Sequence, residues 1–109
     1  MIKEKANIAV FISGRGTNLK ALILRSNKKT CNYKIAYVIS NKKNAAGLKI
    51  AKKNKIITKV ISQSFLKIEQ KKLAKILIDK DIKFICLAGF MKILSPIAFF
   101  LLQITYATL

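Results

Sequence analysis

The chain has no histidine, no tryptophan, a single proline and only four acidic residues. Without histidine there are no Ser-His or Cys-His nucleophile pairs, no imidazole general base and no His-ligated metal centre. The acidic residues are Glu4, Glu69, Asp79 and Asp81, and none of them falls in a loop placed for acid–base work. No catalytic group is therefore expected among the residues present. Cys31 and Cys86 stand far apart with no Cys-x-x-Cys pairing, so neither a metal knuckle nor a redox motif is supported and no metal site is expected. Cys86 lies inside an apolar run and reads as a small buried hydrophobe. A long apolar leader is missing too: Lys3, Glu4 and Lys5 precede a block too short for a signal-peptide core or a membrane span. A cytoplasmic protein with no membrane partner is expected.

Lysine is what the chain has in excess. The formal net charge is +18, which raises polyanions as partners because clustered cations release counterions when they neutralise phosphates. The lysines, however, are spread along the chain up to Lys92, arginine occurs only at Arg15 and Arg25, and no aromatic residues interleave with the basic stretches. This pattern reads as a solvated surface, and no nucleic-acid partner is expected. The apolar fraction of 52% exceeds that of a disordered chain and arrives in short blocks, so one globular domain over residues 1–109 is expected.

Ala6 to Ile12 is a compact apolar block with β-branched residues, bounded by charge and by Ser-Gly, and reads as a central strand buried on both faces. Leu19, Leu22 and Ile23 then recur at helical spacing until Ser26-Asn27, with Thr17 or Asn18 as the cap. Strands are expected at Ile35–Ser40, Ile56–Ile61 and Phe84–Leu87, and helices at Ala45–Lys53 and Phe65–Asp79. This βαβαβαβ order predicts an α/β fold: a Rossmann-like, open, mainly parallel sheet with right-handed crossovers, ending after about the fourth strand. From Ile93 to Leu109 no charged residue occurs. Residues 97–109 are atypical, and two readings fit them: a buried helix starting at Pro96, or a tail translated in a shifted frame.

Two segments carry the chemistry. Ser13-Gly14-Arg15-Gly16-Thr17-Asn18 joins the first strand to the first helix, at the sheet edge where open parallel folds bind ligands. Its glycines let backbone N–H groups approach an anion, the helix N-terminus adds about half a positive charge, and Thr17, Asn18 and Arg15 can add hydrogen bonds. A phosphate or phosphoribosyl group suits it; a tight turn needing two glycines is the alternative. Gly16→Val is expected to block the approach while leaving the fold largely intact. The loop lacks the Gly-Lys-Ser/Thr of the Walker pattern and the third glycine of dinucleotide binders, and Ser40-Asn41-Lys42 stands where a ribose-holding acid would follow the second strand. The second segment, Leu87 to Pro96, places Ala88-Gly89 and an apolar wall of Phe90, Met91, Ile93 and Leu94 directly after the fourth strand. It suits a planar heteroaromatic cofactor, or a buried strand-to-helix turn with Pro96 at the first helical position.

ISGRGTNLKAL (12–22), VISNKKNAAGLKIA (38–51) and LAGFMKILSP (87–96), in that order and spacing, resemble the phosphoribosylglycinamide formyltransferases of purine biosynthesis. A related deformylase and the methionyl-tRNA formyltransferases share that fold, but their first loops differ from this GRGTN. The resemblance covers about residues 8 to 96. It implies that Gly16, Thr17 and Asn18 hold the phosphate of glycinamide ribonucleotide, and that Met91, Lys92, Ile93 and Leu94 line the pocket for 10-formyltetrahydrofolate, the formyl donor. Lys67, near the start of the third helix, is a weaker match to a basic residue on the folate side. The resemblance also implies an Asn-Ile-His-Pro-Ser segment about a dozen residues after Ser95-Pro96, supplying a catalytic Asn and His, and a later Asp. Ile97 to Leu109 shows none of these, so the chain reads as the N-terminal portion of such a domain, inactive alone. The alternative is a non-catalytic phosphate-ligand-binding protein on the same fold.

Overall fold

A computed structural model describes residues 5–13, 16–61, 67–88 and 105–108. The apolar block Ala6–Ile12 forms β1, and because a strand alternates its side chains it feeds two cores at once. Ile8, Val10 and Ile12 pack on one face with Leu19 and Ile23 of α1 (Thr17–Ser26) and Leu48 and Ala51 of α2 (Ala46–Lys53). Ala9 and Phe11 pack on the other with Leu73, Ala74 and Leu77 of α3 (Lys67–Asp79). A strand covered by helices on both sides has no polar face to offer, which is why the block reads as continuous rather than alternating. Each fully buried Phe, Ile or Leu contributes about 1.5–3 kcal/mol of transfer free energy, and Phe11, Ile12, Leu19, Ile39 and Leu77 are all under 2% exposed.

β1 is flanked by β2 (Tyr33–Ser40) and β4 (Ile82–Ala88), with β3 (Ile57–Val60) and β5 (Thr105–Thr108) outside them, giving the order β3-β2-β1-β4-β5. All four pairings are parallel. The Rossmann-like open sheet expected from the alternation is thus what the chain forms. β2 and β4 each begin two residues earlier than the apolar runs suggest, and β3 is trimmed by one at each end. The sheet also carries one strand more than the sequence reading assigned, because Thr105–Thr108 pairs with Phe84–Leu87. Four residues inside an uncharged run, with no turn signal around them, offer periodicity nothing to detect. Residues 89–104 lie outside the described residues, and with them the helix expected at Pro96; so do 62–66, the expected start of α3.

Both β1 pairings slip by one residue, between Ile8 and Ala9 against β2 and between Asn7 and Ile8 against β4. The slip at Ala36 lets Ile35 and Val38, three apart and so on opposite faces of a regular strand, both reach the α1/α2 core. At the other slip Lys83 stays exposed and pairs with Asp81 at 2.8 Å.

Cys86 is 5% exposed and burial raises its thiol pKa, whereas Cys31 is only partly covered. Since the thiolate is the nucleophile, native alkylation at pH 8 is expected to modify Cys31 first and to reach Cys86 only as the sheet opens. Peptide mapping of a time course checks this, and equal rates at both would contradict the placement of Cys86.

Candidate functional site

The carboxyl ends of the central strands meet at one edge. In the ladders Ile12 is the partner of both Ser40 and Ala88, so the segments leaving β1, β2 and β4 start within neighbouring-strand spacings of about 4.8 Å. The chain runs outward from β1 through β2 to β3 and then returns to β1's other side with β4. The point between β1 and β4 is therefore the topological switch, the crevice where open α/β sheets take ligands. The strands that lead into both segments singled out in the sequence, β1 and β4, end beside it.

The helix after β1 starts differently from the expectation. Neither Thr17 nor Asn18 is the cap: the N-cap is Gly16, in the left-handed region at φ 80°, with no side-chain cap hydrogen bond. Thr17 and Asn18 are the first two helical residues and are exposed. A left-handed N-cap suits glycine, and its carbonyl still accepts the Lys20 N–H at 2.9 Å. The N–H groups of Thr17, Asn18 and Leu19 have no acceptor within the helix. With the helix dipole they form a donor cluster suited to an anion. Ser13, the first residue past β1, is buried; Gly14 and Arg15 lie outside the described residues, as do Met91, Lys92, Ile93 and Leu94. Lys67 is the first residue of α3.

Gly16 has a second role that the sequence did not disclose. A Cβ built on it would stand 2.6 Å from Cα and 3.0 Å from N of Gly47, so the loop ends against the backbone of the first turn of α2. Gly16→Val therefore cannot spare the fold, which corrects the expectation. A glycine inside a helix costs about 1 kcal/mol relative to alanine, and Gly47 in Ala-Ala-Gly-Leu is the visible trace of this contact; read alone, it passes for a helix residue. Past β2, the Ser40 hydroxyl donates to the Lys42 carbonyl and accepts the Lys42 N–H, both at 3.0 Å, turning the chain off the strand. Asn41 keeps its side-chain oxygen buried, with no hydrogen-bond partner among the described residues.

Burial raises the pKa of Tyr33, Tyr37 and Cys86, and the hydrogen bond with Asp81 raises that of Lys83. None of these four follows the carboxyl end of a strand at the switch point. Among the described residues no cluster of three His, Cys, Asp or Glu residues is placed to hold a metal, and no helix is long and apolar enough to cross a membrane.

Residues 6–103 match the family model described as formyl transferase. The chain belongs to the formyl transferase family. Within it, the chain is 46% identical over 99 residues to a phosphoribosylglycinamide formyltransferase of Dictyostelium discoideum, a match covering 81% of this chain and 48% of that protein. It is 42% identical over 96 residues to the human trifunctional purine biosynthetic protein adenosine-3, covering 85% of this chain and 10% of that protein. The crystal structure of phosphoribosylglycinamide formyltransferase from Anaplasma phagocytophilum superposes with a TM-score of 0.79 at 37% identity, covering 89% of this chain and 46% of that one. The chain thus spans about half, or much less, of the proteins it matches.

Proposed function

We propose that this chain forms the substrate-gripping part of a glycinamide ribonucleotide formyltransferase, in which a formyl group passes from 10-formyltetrahydrofolate to the substrate amine. The observation that carries this reading is the register of Ile12 with Ala88 in a formyl transferase chain. It sets the ends of β1 and β4, from which the Gly16-Thr17-Asn18 loop and the segment after β4 depart, side by side. In this reading the loop takes the phosphate on its backbone N–H groups and on the Thr17 and Asn18 side chains. Met91, Lys92, Ile93 and Leu94 would line the folate side, with Lys67 as an outlying candidate. The folate, when bound, supplies the formyl group; this chain's own contribution is to hold and orient the substrate phosphate.

The test is calorimetric titration of glycinamide ribonucleotide into the chain and into Thr17→Ala and Asn18→Ala. Hydrogen bonds to charged groups contribute about 1.5–3 kcal/mol, so each variant that loses one is expected to bind at least about tenfold more weakly. Because both side chains are exposed and neither caps α1, circular dichroism should not change. Wild-type affinity in both variants would reduce the loop to a turn. A second reading, phosphate-ligand binding without catalysis on the same fold, draws on one observation: no histidine occurs among the 109 residues.

A further inference from the structure

We propose that Gly47, on the first turn of α2 and outside the ligand loop, is a positioning residue that fixes Gly16 and the start of α1 relative to the end of β1. This rests on reading the loop as a phosphate grip. A Cβ built on Gly47 would collide with Ile12 Cδ1 and stand 3.3 Å from Gly16 Cα and 3.5 Å from Leu19 Cδ2. Ile12 is the last residue of β1 before the loop; Gly16 and Leu19 are the cap and the first buried residue after it. One backbone position therefore touches the entry and the exit of the loop. No left-handed backbone angle requires glycine at Gly47, in contrast to Gly16. Glycine is needed there for space, and the space it leaves is filled by the loop's own anchors.

A methyl group at that position must displace something. The Ile12 Cδ1 can move by a side-chain rotation, whereas the Gly16 backbone moves only together with the start of α1 and its donor cluster. Since a phosphate grip works through backbone N–H direction, a shift of a few tenths of an ångström at Gly16 reaches the ligand although Gly47 does not touch it.

The experiment titrates glycinamide ribonucleotide and inorganic phosphate into the full 109-residue chain, into Gly47→Ala and into Gly47→Ala combined with Ile12→Val, and records a thermal melt for each. The valine removes the atom nearest the new methyl group and leaves its approach to Gly16 in place. Gly47→Ala is expected to weaken binding of glycinamide ribonucleotide by about tenfold, the loss of roughly one charged hydrogen bond. The double variant should regain thermal stability without regaining affinity. Recovery of both together would overturn the proposal, since Gly47 would then act through packing around Ile12. Wild-type affinity in the single variant, or loss of the fold in both, would overturn it equally. If the unsubstituted chain binds neither ligand, the phosphate reading of the loop falls, and this proposal with it. That result is distinct from tight wild-type binding that the substitution leaves untouched.

Discussion

The 109-residue chain is expected to give no formyl transfer: with glycinamide ribonucleotide and 10-formyltetrahydrofolate both present, folate product should form no faster than without protein. Attack of the substrate amine on the formyl carbon requires a group to move protons and donors for the oxyanion. Such groups typically contribute factors of about 10² to 10⁴ and 10² to 10³ respectively. The described residues offer no substitute. Asp79 closes α3 and Asp81 follows it, paired with Lys83, while Cys86 is buried within β4 with a raised pKa. Glu69 lies on α3, the connection entering β4 from the amino edge. The comparison protein joins this chain to the remaining sequence of the Dictyostelium relative, which is long enough that the matched region covers 48% of it. Turnover by the 109-residue chain within about tenfold of that chimera would place the chemistry among residues where we see no means for it.

Gly16→Val should destabilise the fold rather than only silence a site. A β-branched residue forced to φ 80° costs on the order of 1–3 kcal/mol. Pressing its Cβ to 2.6 Å from the Gly47 Cα adds an overpacking cost of about 1–3 kcal/mol. Against a typical stability of about 5–15 kcal/mol, the sum predicts a melting midpoint lowered by about 10 °C or more for a domain of this size. Thermal circular dichroism reads the effect directly, with Thr17→Ala as a neighbouring control expected to melt close to wild type. A midpoint for Gly16→Val within about 3 °C of wild type would mean that α1 and α2 can separate freely, and the close glycine contact would lose its significance. The same result bears on ligand studies, since lost binding in this variant would report lost structure as readily as a lost contact.

How far the site could be read in advance differs residue by residue. Thr17 and Asn18 stood out as candidates because Gly-x-Gly followed by polar residues, between a strand and a helix, has a direct chemical meaning. Their roles at the helix start were read one or two residues late: the left-handed cap is Gly16, a distinction that depends on a backbone angle rather than on residue type. Gly47 was visible as a letter and silent as a contact. Asn41 was noticed only as the absence of an acid, whereas the burial of its side-chain oxygen emerges from packing.

By itself the sequence determined the alternation of strands and helices, the burial of β1 on both faces and the poverty in acid–base groups. Those follow from composition and from neighbours one to four residues apart, where side-chain periodicity and turn chemistry act. Only the tertiary structure decided that β4 lies beside β1 with Ala88 level with Ile12, that β5 extends the sheet, that slips at Ala36 and Lys83 reset which faces their strands present, and that Gly16 rests on Gly47. Each joins residues separated by roughly twenty to eighty positions. Such pairings are selected by the shared burial of whole faces, a free energy that no local stretch of the chain contains.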